Sequence, residues 1–158
     1  MDFQTLKQKA IEAKNKAITF WAEKLSGSGL ILQAQNEIDA VIARSKTTEF
    51  TNKETGILKY FEHTSIIIFA EKNSDFFKDM LYALPVLSAK AFSQNIVLKI
   101  AHADAEGMDI KKYTLDSLPS LVVFKKEKIH TTLSGSENIL KLVKSTNMDI
   151  NELIETIS

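Results

Sequence analysis

Apolar residues recur every three or four positions from Asp2 to Leu25: Phe3, Leu6, Ala10, Ala13, Ala17, Trp21 and Leu25, with Ile11 and Ile18 widening the stripe. That is the period of an amphipathic helix. Gln8, Glu12, Asn15, Lys16 and Glu23 fall on its other face, and Ser26-Gly27-Ser28-Gly29 ends it with residues that tolerate irregular backbone. The same period returns in Ile31, Ala34, Ile38, Val41 and Ile42, which predicts a second helix from Leu30 to Arg44. A break this short folds two helices back on each other. Residues 1–45 are therefore expected as an N-terminal helical hairpin extension, followed by a separate domain over 46–158.

After Arg44 the pattern changes. Lys46 to Phe50 is β-prone and predicts a short edge strand. Asn52 then stands as a helix cap, and Lys53 to Glu62, with Ile57, Leu58 and Phe61 inward, predicts a helix. Ile66-Ile67-Ile68-Phe69 is a continuous apolar run, the pattern of a strand covered on both faces. Asn73-Ser74-Asp75 offers capping chemistry for a long helix from Phe76 to Phe92, which Pro85 is expected to kink or interrupt. Ile96 to Ala101 is the next buried strand, and Asp109 to Tyr113 a short helix. Leu121 to Phe124 and Ile129 to Leu133 form a hairpin, and helices follow at Glu137 to Lys144, capped by Ser136, and at Asp149 to Ile157. Strands separated by helices must be parallel and the tight hairpin antiparallel, so the fold class is α/β, a mixed sheet with helices on both faces.

Composition narrows the chemistry. The chain has 158 residues, 44% hydrophobic and 25% charged, the profile of an ordinary globular protein with one good core. Twenty basic and twenty acidic side chains balance, which argues against a broad nucleic-acid footprint. There is no cysteine, so disulfides, thiolate nucleophiles and thiolate metal sites are excluded. No apolar h-region opens the chain and no segment approaches the roughly 20 apolar residues of a transmembrane helix, so cytoplasmic residence is expected.

The stretch from Ile66 to Glu71 entering a long helix broken at Pro85, then Asp104, then Lys112 to Lys125 with Ser117-Leu118-Pro119-Ser120 at its centre, then Gly135, resembles the thioredoxin fold over residues 46–145. Asp104 precedes Pro119 by 15 residues and Gly135 follows it by 16, matching the thioredoxin register without gaps. The resemblance implies a thioredoxin-like sheet, a cis Leu118–Pro119 peptide, and pairing of extended substrate peptide with the backbone of Leu118. It fails where the family's chemistry lives. The C-x-x-C segment falls on Lys72 to Lys78, which holds no sulfur, and the family's buried acid falls on Ile67. The implied member is redox-inactive.

The candidate peptide-binding residues are thus Leu118 and Pro119, with Asn73, Ser74, Asp75, Phe76 and Phe77 on the facing helix start. Ser74 and its neighbours read first as a cap, because Asp75 itself occupies the positive end of the helix. Phe76 and Phe77 are adjacent and are not expected to face the core together, so one is a candidate to fill the place of the missing thiol. His63, His102 and His130 stand far apart and read as surface or helix-terminus histidines. Asp104, Glu106 and Asp109 lack the order of a calcium loop, and no glycine-rich phosphate loop follows a strand. No metal, cofactor or catalytic residue is assigned. The expected function is that of a non-catalytic protein- or peptide-binding or scaffold module. The alternatives are an enzyme or enzyme subunit with non-thiol chemistry, and an oligomerisation or membrane-surface adaptor acting through Lys7, Lys9, Lys14, Lys16, Lys24 and the aromatics of the first helix. A second copy of the chain, joined through residues 1–45, is a further expected partner.

Overall fold

The computed structural model describes residues 4–5, 8–9, 29–144 and 150–157. The expected helix from Asp2 to Leu25 lies outside the described residues apart from Gln4, Thr5, Gln8 and Lys9, which are helical. The elements are β1 (Ile31–Leu32), α1 (Gln35–Ala43), β2 (Thr47–Thr51), β3 (Leu58–Glu62), β4 (Thr64–Ala70), α2 (Asp75–Ser93), β5 (Ile96–His102), a 3-10 turn (Ile110–Tyr113), β6 (Ser120–Lys125), β7 (Lys128–Ser134), α3 (Ser136–Lys144) and α4 (Ile150–Ile157). Five strands form one mixed sheet in the order β1-β5-β4-β6-β7. β1 and β4 run parallel to β5, while β6 runs antiparallel to β4 and to β7.

β4 is the centre, as its unbroken apolar run predicts. Its side chains alternate between two cores. Ile66, Ile68 and Ala70 pack with Met80, Leu81 and Leu84 of α2 and with Ile139, Ile150 and Ile154. Ile67 and Phe69 face the other way, against Ile38 and Val41 of α1, Tyr113 and Phe124. A strand buried on both faces needs a helix on each, and α1 supplies one of them.

That role corrects the reading of Leu30 to Arg44 as one helix. Ile31 and Leu32 are both buried, yet Ile31 belongs to the α2 core and Leu32 to the α1 core. Neighbouring residues on opposite faces are strand geometry, and the pair lies in register with Ile100 and Ala101. The pairing crosses the boundary expected at residue 46. So do two further ties: Ser65 Oγ donates to the Val41 carbonyl at 2.7 Å, and the Glu127 N–H donates to both the carbonyl and the Oγ of Ser45, at 3.0 and 3.1 Å. The last of these holds the β6–β7 turn, where Lys126 and Glu127 take positive φ without a glycine.

A second correction concerns Lys53 to Glu62. The residues expected as a helix form the turn and second strand of a separate hairpin, β2 with β3. Asn52 caps a turn instead of a helix, its Oδ1 accepting from the Glu54 N–H at 2.9 Å, and Gly56 completes the reversal at φ +68°. Ile57 and Leu58, expected inward, are 55% and 45% exposed. Residues 46–50 were expected at the edge of the main sheet, and that place is taken by β1.

α2 runs through Pro85 without interruption. The proline removes one helical hydrogen bond, but Met80, Leu81, Leu84 and Ala91 are all buried and hold both halves of the helix on the sheet. Ser136 lies inside α3, and the entry residue is Gly135 at φ +99°, whose carbonyl accepts from the Ile139 N–H at 3.1 Å. On the other core, Gln35 ties α1 to the 3-10 turn. Its Nε2 donates to the Tyr113 hydroxyl at 2.7 Å and its Oε1 accepts from the Asp109 N–H at 2.9 Å.

Candidate functional site

Sheet register brings the candidate residues to one end of the molecule. Phe69 pairs with Ser120 and Ala70 with His102, so the loop leaving β4, the end of β5 and the Leu118–Pro119 bend that enters β6 share one sheet end. The loop after β4 is anchored to β5 twice. The Ala103 N–H donates to the Ala70 carbonyl at 2.9 Å, and the Lys72 N–H donates to Asp104 Oδ1 at 3.0 Å.

The start of α2 is closed by its own sequence. Ser74 Oγ accepts from the Phe77 N–H at 3.2 Å and donates to the Glu71 carbonyl at 2.8 Å, so the hydroxyl is committed to capping. Asp75 stands in the first turn, where its charge complements the helix dipole, and both it and Asn73 are exposed. Phe76 and Phe77 depart from expectation. They are only 5% and 4% exposed, and both belong to the α2 core. Adjacent helical residues diverge by about 100°, but the first turn of α2 sits where core surrounds it on more than one side.

Across from this helix start, Leu118 and Pro119 are half-buried and their peptide bond is cis. The bend is pinned on both sides. The Pro119 carbonyl accepts from the Gly135 N–H at 3.0 Å. Ser120, fully buried, donates its hydroxyl to the Ser117 carbonyl and accepts from Ser134 Oγ at 3.0 Å. Between these anchors the N–H and C=O of Leu118 have no partner among the described residues. A pinned backbone with an open donor and acceptor is an edge that another strand can extend.

His102 is the residue that the sequence reading misplaced. Expected at the surface, it is 7% exposed, packs edge-on against Phe77 at 4.9 Å between ring centres, and has its Nε2 buried with no partner among the described residues. The signal was present in β5. Ile96, Leu98 and Ile100 are the buried alternate positions, and the next step of two is His102. Burial holds its imidazole below the ordinary range, repulsion from Lys72 adds to this, and Asp104 partly opposes it.

A stability–pH dependence follows. The unfolded chain takes up a proton near the ordinary imidazole value of about 6.5, whereas the folded chain resists it to lower pH. Between the two values the unfolded state holds more protons, so stability falls as pH falls below neutrality. Denaturant titrations from pH 7.5 to 5 are expected to show this decline, and His102→Leu to flatten it while leaving stability at pH 7.5 equal or higher, because an unsatisfied buried nitrogen is removed. An unchanged slope in the variant would assign the decline to other groups.

Asp104, Glu106 and Asp109 do not converge. Asp104 is occupied by Lys72 and the backbone of Asp109 by Gln35. Among the described residues no group of three or more His, Asp or Glu is placed to hold a metal ion, and no helix is long and apolar enough to cross a membrane.

No family sequence profile matches the chain, and no curated protein matches it in sequence. Solved structures do match in shape. Thioredoxin O1 of Arabidopsis thaliana in its oxidised state aligns with a TM-score of 0.52 at 13% identity, over 75% of this chain and 94% of that one. The germline-specific thioredoxin Deadhead of Drosophila melanogaster aligns with a TM-score of 0.51 at 13% identity, over 74% of this chain and 96% of that one. A designed protein aligns with a TM-score of 0.51, also at 13% identity, over 73% of this chain and 88% of that one. The chain therefore has a thioredoxin-like α/β fold and carries it without a single cysteine, so it holds no thiol for disulfide exchange.

Proposed function

We propose that this protein works by binding an extended peptide segment along the Leu118–Pro119 bend, and not by chemistry at a side chain. The observation that carries the reading is the N–H and C=O of Leu118, which have no partner among the described residues and are held between the Pro119–Gly135 and Ser117–Ser120 hydrogen bonds. A partner strand would pair with that backbone, and the exposed Asn73 and Asp75 would border it. Ser74 contributes by capping α2, and Phe76 and Phe77 by filling the core beneath. The fold supports this reading because thiol–disulfide exchange requires a thiolate and the chain has none.

The test is selection of displayed random peptides on the immobilised full-length protein, followed by amide-shift mapping with the selected peptides. Binding is expected to move the amides of Ser117, Leu118 and Ser120. Pro119→Ala is expected to weaken it about tenfold, the loss of one or two main-chain hydrogen bonds at about 0.5–1.5 kcal/mol each. Selected peptides that shift only distant amides, or that bind a folded Pro119→Ala variant equally well, would overturn the reading.

A further inference from the structure

At the other end of the sheet, away from the Leu118–Pro119 bend, a cleft of about 340 Å³ opens between the end of α1, the start of β4 and the turn from α2 into β5. Its lining has two chemistries. Phe92 and Val97 give it apolar surface beside the buried Ile96, and Phe92 is 73% exposed, an unusual position for a phenylalanine on a helix whose other face is core. Arg44, Lys46 and His63 supply the polar rim together with Asn95.

Neither Arg44 nor Lys46 pairs with a carboxylate among the described residues. Glu62 does not line the cleft, but it lines the adjoining shallow depression together with Lys46, His63, Lys125 and Lys126. Lys99 shares the α1-facing side of β5 with Val97, and its ammonium is destabilised by burial first and by repulsion from Arg44 second. Arg44 and Lys46 stand on the rim of the cleft with no ion-pair partner among the described residues, and an anion seated in the cleft would supply one. At the end of α2 the carbonyls of Ala91 and Phe92 are taken by the Gln94 and Asn95 amides.

We propose that this cleft binds a small organic anion, an aromatic or aliphatic body that lies against Phe92 and Val97 and carries a phosphate or carboxylate toward Arg44 and Lys46. The guanidinium can take either head group through two parallel hydrogen bonds, and the cleft volume falls at the lower end of the range for small-molecule sites, about 300–1,000 Å³. The site is independent of the peptide edge.

The probes are phenyl phosphate, benzoate, inorganic phosphate and phenol, each titrated into the ¹⁵N-labelled full-length protein at constant ionic strength. Phenyl phosphate or benzoate is expected to saturate while shifting the amides of Asn95, Ile96 and Val97, with inorganic phosphate and phenol each binding at least about tenfold more weakly, because each makes only half the contacts. Whichever head group binds more tightly identifies the chemical class. Arg44→Gln, a substitution at an exposed position, is expected to weaken binding about tenfold, and Phe92→Ser to weaken the aromatic anion while leaving inorganic phosphate unchanged. The proposal is overturned if neither organic anion shifts the cleft amides, if inorganic phosphate binds as well as phenyl phosphate, or if Arg44→Gln binds as the wild type does.

Discussion

Phe69→Ala is expected to lower the stability of the folded chain by about 3–5 kcal/mol, the cost of deleting a buried aromatic ring and leaving a cavity. Phe69 is fully buried near the end of the central strand, with the Tyr113 ring 5.1 Å away, and Tyr113 in turn lies 6.0 Å from Phe124. The three rings close the α1 side of the sheet, and β4 is paired on both edges, so the backbone cannot collapse into the space. Urea unfolding should show a lower midpoint with an unchanged slope, since the loss is of packing and not of compactness. A cost below about 1.5 kcal/mol, typical of a site that relaxes or is partly exposed, would show that α1 and the 3-10 turn do not seal this core as described.

A chain beginning at residue 46 is expected not to fold cooperatively. Such a chain would lack β1, α1 and Ser45, and with them the buried side chains of Ile31, Leu32, Ile38 and Val41. At about 1.5–3 kcal/mol each, those four side chains are comparable to the entire net stability of a domain this size, about 5–15 kcal/mol. Their removal would also uncover Ile67 and Phe69 and open the edge of β5 at Ile100 and Ala101. Amide dispersion in a proton–nitrogen spectrum and the urea transition of the shortened chain are the measurements. A well-dispersed spectrum with a sharp transition would show that residues 46–158 are a self-sufficient domain and that α1 is an accessory to it.

Much of this architecture could be read from local pattern. The run Ile66 to Phe69 could only be a strand covered on both faces, and the Leu121 and Ile129 strands around a four-residue charged turn could only be a hairpin. The spacing of Asp104, Pro119 and Gly135 matches the thioredoxin register, and in the structure Asp104 accepts from the Lys72 amide while the Gly135 amide donates to the Pro119 carbonyl. Those signals are legible because each depends on residues near in sequence or on a register that β4 and β6 preserve. The absence of cysteine is of the same kind, since a missing thiol removes its chemistry whatever the fold.

What the sequence by itself determined was therefore the sheet centre, the helix that follows it and the loss of thiol chemistry. Tertiary structure alone decided the rest. Ile31 and Leu32 satisfy a helical period as well as a strand, and only the unpaired edge of β5 turns them into β1. Lys53 to Glu62 carries an apolar spacing suited to a helix, but Asn52 and Gly56 turn the chain early enough for β2 to capture it as a strand. Phe76 and Phe77 are both buried because core meets the first turn of α2 from more than one side, and His102 is buried because β5 is covered to its last residue. Each outcome depends on partners far away in the chain, and periodicity records which faces are apolar without recording what arrives to cover them.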